Sequence, residues 1–473
     1  MQLTRSPLAV GLAGIVVAAL LPAAQSAATV PGGLPAEVVD FAPPTSEATY
    51  PAVDHGPSES PNNDRHATTT WRIVKTTGNC CENYVTVTSG GRLLDFGGTY
   101  VNFSDDRGRT WRQVQPQTPL VNGEGSIVNA PDGDVLGVGW DPYTGDHLQS
   151  FKYEADTGQW RYDELPVHQP FYDREWLAVV PGPVTIDGAT YPWVSLVKGG
   201  YPSKEVWYYS TDGLDYTHVT SKFVAQMLSG DSTSSFLDTT AEATHDWTQP
   251  NTNGGITPLG GGDVLAAPDQ GARWYHLNGH TFSWSEFTYP DGRSPQGIHQ
   301  VDSQGRLHEV VPSATGDQFV YRISADGGRT WQQATVPLPA DHVIEEIDFR
   351  ANSGAGVAAV GIHSHDNSDN ADQDLAYKLD IGRAVPRLLR TYHVGFGDVD
   401  GSSGVGQDVR FDFETIAIFP DGRIVLSFYD STTTVDGDIQ PALAIEQDTT
   451  LGGKVRHPDS GEDQTSLLQD LDR

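Results

Sequence analysis

Apolar residues in this chain fall in short runs separated by turns, and one arrangement keeps returning: an apolar strand, a turn built on Gly with Asp or Ser, and a second apolar strand. It runs from Asn83 to Phe96 around Ser89-Gly90-Gly91, and from Gly125 to Trp140 around Pro131-Asp132-Gly133. Further copies span Glu175 to Val197, Gly255 to Ala267, Gln296 to Val311 around Ser303-Gln304-Gly305, Glu346 to His363, and Asp412 to Tyr429 around Pro420-Asp421-Gly422. From Tyr84 in the first copy to Glu414 in the seventh, the period averages about 55 residues, which suits a four-stranded propeller blade. No convincing helical stripe interrupts the pattern. The prediction is an all-β chain, a seven-bladed β-propeller with four-stranded antiparallel blades, with six blades as the alternative.

A second repeat lies in the outer half of these units. Ser104-Asp105-Asp106-Arg107-Gly108-Arg109-Thr110-Trp111 and Ser324-Ala325-Asp326-Gly327-Gly328-Arg329-Thr330-Trp331 share the pattern S-x-D-x-G-x-T-W. Glu154 to Trp160 and Ser210 to Gly213 are weaker copies. Their spacings are close to one or two hairpin periods, so the two registers agree. Such a segment makes a turn between strands: Ser and Asp satisfy backbone donors, Gly supplies positive φ, and Trp packs inward. These segments resemble the Asp-box, or BNR repeat, of the sialidase-like propellers, and the resemblance spans residues 70 to 445. In that family the boxes lie on the face away from the catalytic pocket, which makes Asp106 and Asp326 poor catalytic candidates.

The flanks read differently. A basic start, an apolar run from Leu8 to Leu21 and small residues at Ala24, Ser26 and Ala28 predict a secretory signal peptide over 1–28, hence a secreted, extracellular protein. Residues 29–66, rich in Pro, Ala, Ser and Glu, are expected as a loosely attached leader, 67–450 as the propeller, and 451–473 as a flexible tail. The segment Thr69 to Thr76 is the expected terminal strand that completes the last blade. The formal charge of −33 argues against nucleic acid or an anionic membrane as partner. An acidic substrate would therefore need local Arg, Lys or metal to overcome the global field. The two cysteines, Cys80 and Cys81, are adjacent, leaving a vicinal disulfide, pairing between chains, and free thiols open. A closed propeller is expected to be a monomer.

Carboxylates recur where the first strand of each hairpin begins: Glu82, Glu124, Asp173 with Glu175, Glu345 with Glu346, and Asp412 with Glu414. Gathered around one axis they would have to hold protons, pair with Arg174 and Arg410, or bind a cation. Oxygen ligands point to calcium or magnesium, with Glu82, Glu124, Glu346 and Glu414 as the expected metal ligands. A salt-bridged ring is the structural alternative.

The densest group of chemical side chains is His168-Gln169-Pro170-Phe171-Tyr172-Asp173-Arg174-Glu175-Trp176. Its Asp173-to-Val179 part looks like the D-R-x-W-x-A-V segment of sialidase-like propellers in secreted bacterial proteins. The resemblance implies an acidic glycan as substrate, but sialidases use three arginines, the first in F-R-I-P. Trp71-Arg72-Ile73-Val74 is a faint echo of that motif, and Tyr321-Arg322-Ile323-Ser324 runs into an Asp-box.

A lyase is therefore favoured: Arg174 or Arg410, with the cation, neutralises a uronate carboxylate, and His168, His299 or Tyr172 removes the neighbouring proton. Alternatives are a sialidase-like exo-glycoside hydrolase using two axial carboxylates, and a non-catalytic glycan-binding propeller with Trp140, Trp207 and Trp274 as stacking platforms. His363-Ser364-His365-Asp366 is expected to belong to a solvated insertion rather than a zinc site.

Overall fold

The computed structural model describes residues 33–56, 64–76, 84–96, 100–115, 125–140, 147–166, 173–186, 188–201, 204–218, 251–252, 256–260, 263–266, 275–278, 283–286, 288–366, 371–396, 415–430 and 440–454. Every regular element among them is a β-strand.

The N-terminal strands are β1 (Leu34–Pro35), β2 (Glu37–Phe41), β3 (Thr45–Asp54) and β4 (Arg65–Lys75). Four consecutive strands then make each of two sheets: β5 to β8 (Tyr84–Val87, Leu93–Phe96, Val101–Ser104, Trp111–Gln115) and β9 to β12 (Gly125–Asn129, Val135–Trp140, His147–Glu154, Gln159–Pro166). A third sheet holds β13 to β16 (Asp173–Ile186, Ala189–Tyr201, Lys204–Ser210, Thr217–His218). After β17 (Asn251–Thr252) come β18 to β21 (Ile256–Gly260, Asp263–Ala266, Tyr275–Asn278, Ser283–Glu286) and β22 to β25 (Ile298–Val301, Leu307–Pro312, Gln318–Ser324, Gln332–Pro337). The last strands are β26 to β29 (His342–Asn352, Val357–Asp366, Ala371–Asp380, Arg387–Phe396) and β30 to β32 (Ile416–Ile418, Ile424–Asp430, Gln440–Lys454).

All seven predicted hairpins correspond to strand pairs: β5–β6, β9–β10, β13–β14, β18–β19, β22–β23, β26–β27 and β30–β31. The described strands nevertheless make six sheets, because β3 pairs with β29 on one side and β4 on the other, fusing the last two units into a ten-stranded sheet. The expected terminal strand is seated: β4 pairs antiparallel with β32, which pairs with β31.

Residues 34–54, expected as a loose leader, instead form strands. β1 pairs with β12, β2 with β8, and β3 bridges two further strands, so this segment covers the outer edges of several sheets. Unpaired edges invite association, and covering them removes that hazard. β32 likewise continues to Lys454, into the expected tail.

The first strands adjoin in order: β5 lies beside β9, β9 beside β13, β13 beside β18, β18 beside β22, β22 beside β26, β26 beside β30, and β30 beside β5. Side chains cross-link most of these junctions. Ser126 Oγ accepts from the Leu177 amide, Thr415 Oγ1 from the Val85 amide, and the fully buried Asp348 Oδ2 from the Ile416 amide. Gln300 makes two bonds to the Ala351 backbone, Thr257 Oγ1 donates to His299 O, and Asn129 Nδ2 donates to Thr86 and Val87. Apolar side chains fill the space between neighbouring four-stranded units. One cluster joins Val310, Phe319 and Tyr321 to Ile347, Val360 and Tyr377; another joins Trp71, Ile73 and Ala444 to Ala359, Ala376 and Tyr392.

The two full Asp-boxes are superposable in their bonding. Ser104 Oγ and Ser324 Oγ donate to Asp106 and Asp326 and accept from Gly108 N and Gly328 N. Each Asp accepts from the amides of the residues three and four positions on, and each Trp indole donates to the Gly carbonyl. The Thr330 hydroxyl and amide, then Ser324, hold Asp326 at about 2. The first of these turns also grips the neighbouring sheet: Arg72 reaches Arg107 O, Arg107 pairs with Asp421 at 2.7 Å, and Gly108 has no room for a Cβ against Ile445.

Candidate functional site

The two full Asp-boxes mark one end of their sheets. In the first sheet Val87, at the end of β5, pairs with Leu93, which pairs with Ser104; in the fifth, Val301 pairs with Leu307, which pairs with Ser324. The first strands therefore begin at the opposite end, where the sequence places its carboxylates.

Of the expected site residues, Glu82, Glu124, His168, Tyr172, Arg410 and Glu414 lie outside the described residues. Asp173, Arg174 and Glu175 open β13, and Glu346 lies near the start of β26. Both places carry a register shift. Asp173 pairs with Gly200 and Glu175 with Gly199, leaving Arg174 as the extra residue; Ile344 pairs with Ser364 and Glu346 with His363, leaving Glu345 as the extra one. A bulge turns a strand locally and re-aims a side chain, and such features gather near functional sites. The backbone of Glu346 and Ile347 is also flanked by Asn251 and Thr252 of β17, paired parallel on the free edge of β26.

The same end of the fused sheet brings together residues that the sequence had listed apart. The side chain of Glu345 is 43% exposed, and its Oε2 lies 3.4 Å from His363 Nε2. The other ring nitrogen, Nδ1, lies 3.1 Å from Asp374 Oδ1, with both of these side chains buried. His342 Nδ1 and Ser364 Oγ are 3.0 Å apart beside them. His393 is buried too; burial, and then the charge of His342, lower its pKa to about 4. The expectation that His363 to Asp366 sit in a solvated insertion is thus corrected: all four lie in β27, which pairs along its length with β28, and His363 and Ser364 are buried. The Asn, Ser and Asp residues from Asn367 to Asn370 lie outside the described residues.

His299, expected at an open rim, is buried. Its Nε2 lies 3.1 Å from Glu309 Oε1, and Glu309 also accepts from the Gln296 amide at 3.1 Å and Arg322 Nη1 at 2.9 Å. Burial pushes the Glu309 carboxyl up, but these donors, His299 first, hold it below its ordinary value. Within the described residues this is an internal charge network.

A cavity of about 550 Å³ lies between β25 and the start of β29, lined by His55, Asp64, Gln333, Arg387 and Leu388. It is on the outer strands, and His55 and Asp64 are paired with each other at 3.2 Å. Among the described residues no three His, Cys, Asp or Glu gather as a metal site.

No family model matches the chain, and no curated protein matches it. Solved structures do. An endosialidase of phage phi92 is 8% identical over 87% of this chain and 74% of its own, with a TM-score of 0.39. A chain of the mitotic checkpoint complex is 11% identical over 78% and 93%, also at 0.39. An ulvan lyase bound to a glucuronate-rhamnose-sulfate glycan is 11% identical over 84% and 89%, at 0.29. Likeness at this level assigns no activity.

Proposed function

We propose that this chain is a secreted enzyme that cleaves acidic, uronate- or sialate-bearing glycans by elimination, acting at the axial end of a seven-bladed propeller. In the propeller reading, the adjoining first strands form the ring, and β30, β31, β32 and β4 form the blade closed by both termini. Three charged residues at the bulged starts of β13 and β26, Arg174, Glu175 and Glu345, carry the functional part, since a fold alone does not choose an activity.

In the proposed reaction, Arg174 or Arg410 pairs with the substrate carboxylate and acidifies the adjoining C–H. A base at the rim takes that proton. The electron pair becomes a carbon–carbon double bond while the glycosidic oxygen departs and is protonated. His168 and Tyr172 remain candidates for the base from the sequence, whereas the burial of His299 disfavours it. The net charge of −33 makes the two arginines necessary, because the overall field repels an acidic chain. A calcium or magnesium ion on Glu82, Glu124, Glu346 and Glu414 would add to the same neutralisation.

The test is incubation of the secreted protein with uronate and sialate glycans, with and without chelator, following the absorbance of the unsaturated product and the appearance of reducing ends. Absorbance rising with reducing ends supports elimination. Reducing ends alone indicate hydrolysis, and binding without cleavage indicates a glycan-binding propeller.

A further inference from the structure

We infer that the cavity between β25 and β29 is a second glycan-binding subsite, in which Arg387 takes the carboxylate of a uronate residue. The choice of a glycan rests on the function proposed above; the choice of an anion rests on the cavity itself.

Arg387 opens β29 at the wall of this cavity. Among the described residues it is an exception: every other half-buried arginine has an Asp or Glu oxygen within 4.0 Å, whereas no carboxylate pairs with Arg387. Its Nη1 donates to Gly56 O at 2.7 Å, and its Nε is buried without a hydrogen-bond partner. The acid in the cavity lining, Asp64, is paired with His55 at 3.2 Å instead. A guanidinium drawn out of water with no opposite charge beside it is costly, and an anion entering the cavity offsets that cost. The planar fork of arginine suits a carboxylate in particular. In a chain of net charge −33, such a cation gives an acidic ligand local attraction against the overall field.

The facing wall is a sheet edge. β25 is the outer strand of its four-stranded sheet, and the Leu338 amide donates to Asp317 O in register with the β24–β25 pairs. Backbone groups alternate in direction along an antiparallel pair, so Gln333 and Thr335 turn their N–H and C=O groups away from β24. Both residues line the cavity, where these groups can meet sugar hydroxyls. Val385, Pro386 and Leu388 offer apolar surface to the C–H faces of a sugar ring, and a volume of about 550 Å³ is that of a small-molecule site. An added peptide strand fits less well: the next outward position is Pro337, which has no N–H, so the edge gives a ladder only two complete residues. The cavity lies against the fourth strands of two units, so this subsite is separate from the bulged starts of the first strands β13 and β26.

The test is calorimetric titration of the full-length chain, each form checked by thermal melting, with galacturonate and glucuronate trisaccharides and their carboxyl-reduced counterparts. Arg174→Ala is the starting form, which weakens the axial end. Binding of at least one of these uronates is expected to remain in it, and to weaken about tenfold or more when Arg387→Gln is added. Arg387→Lys keeps the charge without the fork and should weaken binding less. The carboxyl-reduced sugar should bind the Arg174→Ala form about tenfold or more weakly than the uronate, a comparison that needs no change at Arg387.

No uronate binding by Arg174→Ala, equal affinity with and without Arg387→Gln, or equal affinity for the reduced sugar would overturn the subsite. Tighter binding of tetra-aspartate than of either uronate would overturn it too, by making the cavity a peptide site. Cleavage by the wild type is followed alongside. Binding that depends on Arg387 without any cleavage removes the enzyme reading and leaves the subsite; cleavage without such binding does the reverse.

Discussion

The carboxylate of Asp348 reaches from one first strand to the next, its Oδ2 accepting the Ile416 amide at 3.1 Å while Arg350 holds Oδ1 at 2.8 Å. Burial raises the pKa of this group despite Arg350, so the charge is tolerated for the join it makes. Asp348→Ala would leave the Ile416 N–H buried and unpaired and should cost about 2–4 kcal/mol in urea unfolding. Asp348→Asn keeps an acceptor and removes a buried charge, and should cost less than about 1.5 kcal/mol. Equal losses in the two variants would show that the cross-link does not matter.

Glycines at two equivalent-looking turns should respond unequally to alanine. Gly108 has φ +76° and no space for a Cβ beside Ile445, whereas Gly158 has φ +70° with nothing within 4 Å. Gly158→Ala should cost about 1 kcal/mol from backbone conformation alone. Gly108→Ala adds overpacking and should cost about 2–4 kcal/mol, measured by the same unfolding curves.

Acid sensitivity should depend on His393. Its folded value of about 4 lies below the ordinary 6.5, so the unfolded chain takes the proton first. The stability it contributes is therefore complete above about pH 6.5 and is lost as pH falls toward 4, on the order of 3 kcal/mol in all. Melting temperatures of His393→Leu should fall less over that window than those of the wild type. Parallel curves would assign the acid response to other groups.

The edge strands offer a graded deletion. Removing residues 33–54 exposes the outer edges of β8, β12, β29 and β4 and should produce association in size-exclusion chromatography with a melting transition retained. Extending the deletion through Lys75 also removes β4, and with it Trp71, 0% exposed, from the core. That longer deletion should abolish the cooperative transition; its survival would mean that β4 is dispensable.

Much of the sheet pattern was legible because turn residues and apolar runs repeat with a fixed period, and each predicted hairpin has its strands. What escaped were strands whose pairing lies in the backbone. In β3, seven residues starting at Thr45 include no fully buried one, so no apolar alternation announces it, and its two partners are supplied by distant chain.

The candidate site was legible in outline only. Acidic residues at the starts of first strands could be counted, but the bulge that singles out Glu345 is a matter of register, and the approach of Asp374 to His363 joins residues on neighbouring strands. His299 shows the converse: its position in the repeat suggested a rim, yet the next two strands of its own sheet supply Glu309 and Arg322, and the imidazole is buried.

The most direct measurement is the rate at which the wild-type protein generates ultraviolet absorbance from a uronate glycan, set beside that of Arg174→Ala under conditions where both bind the glycan. An unsaturated product from the wild type, with the variant bound but inactive, is the predicted result. Failure of the wild type to cleave any acidic glycan, or cleavage that yields reducing ends with no such absorbance, would contradict it.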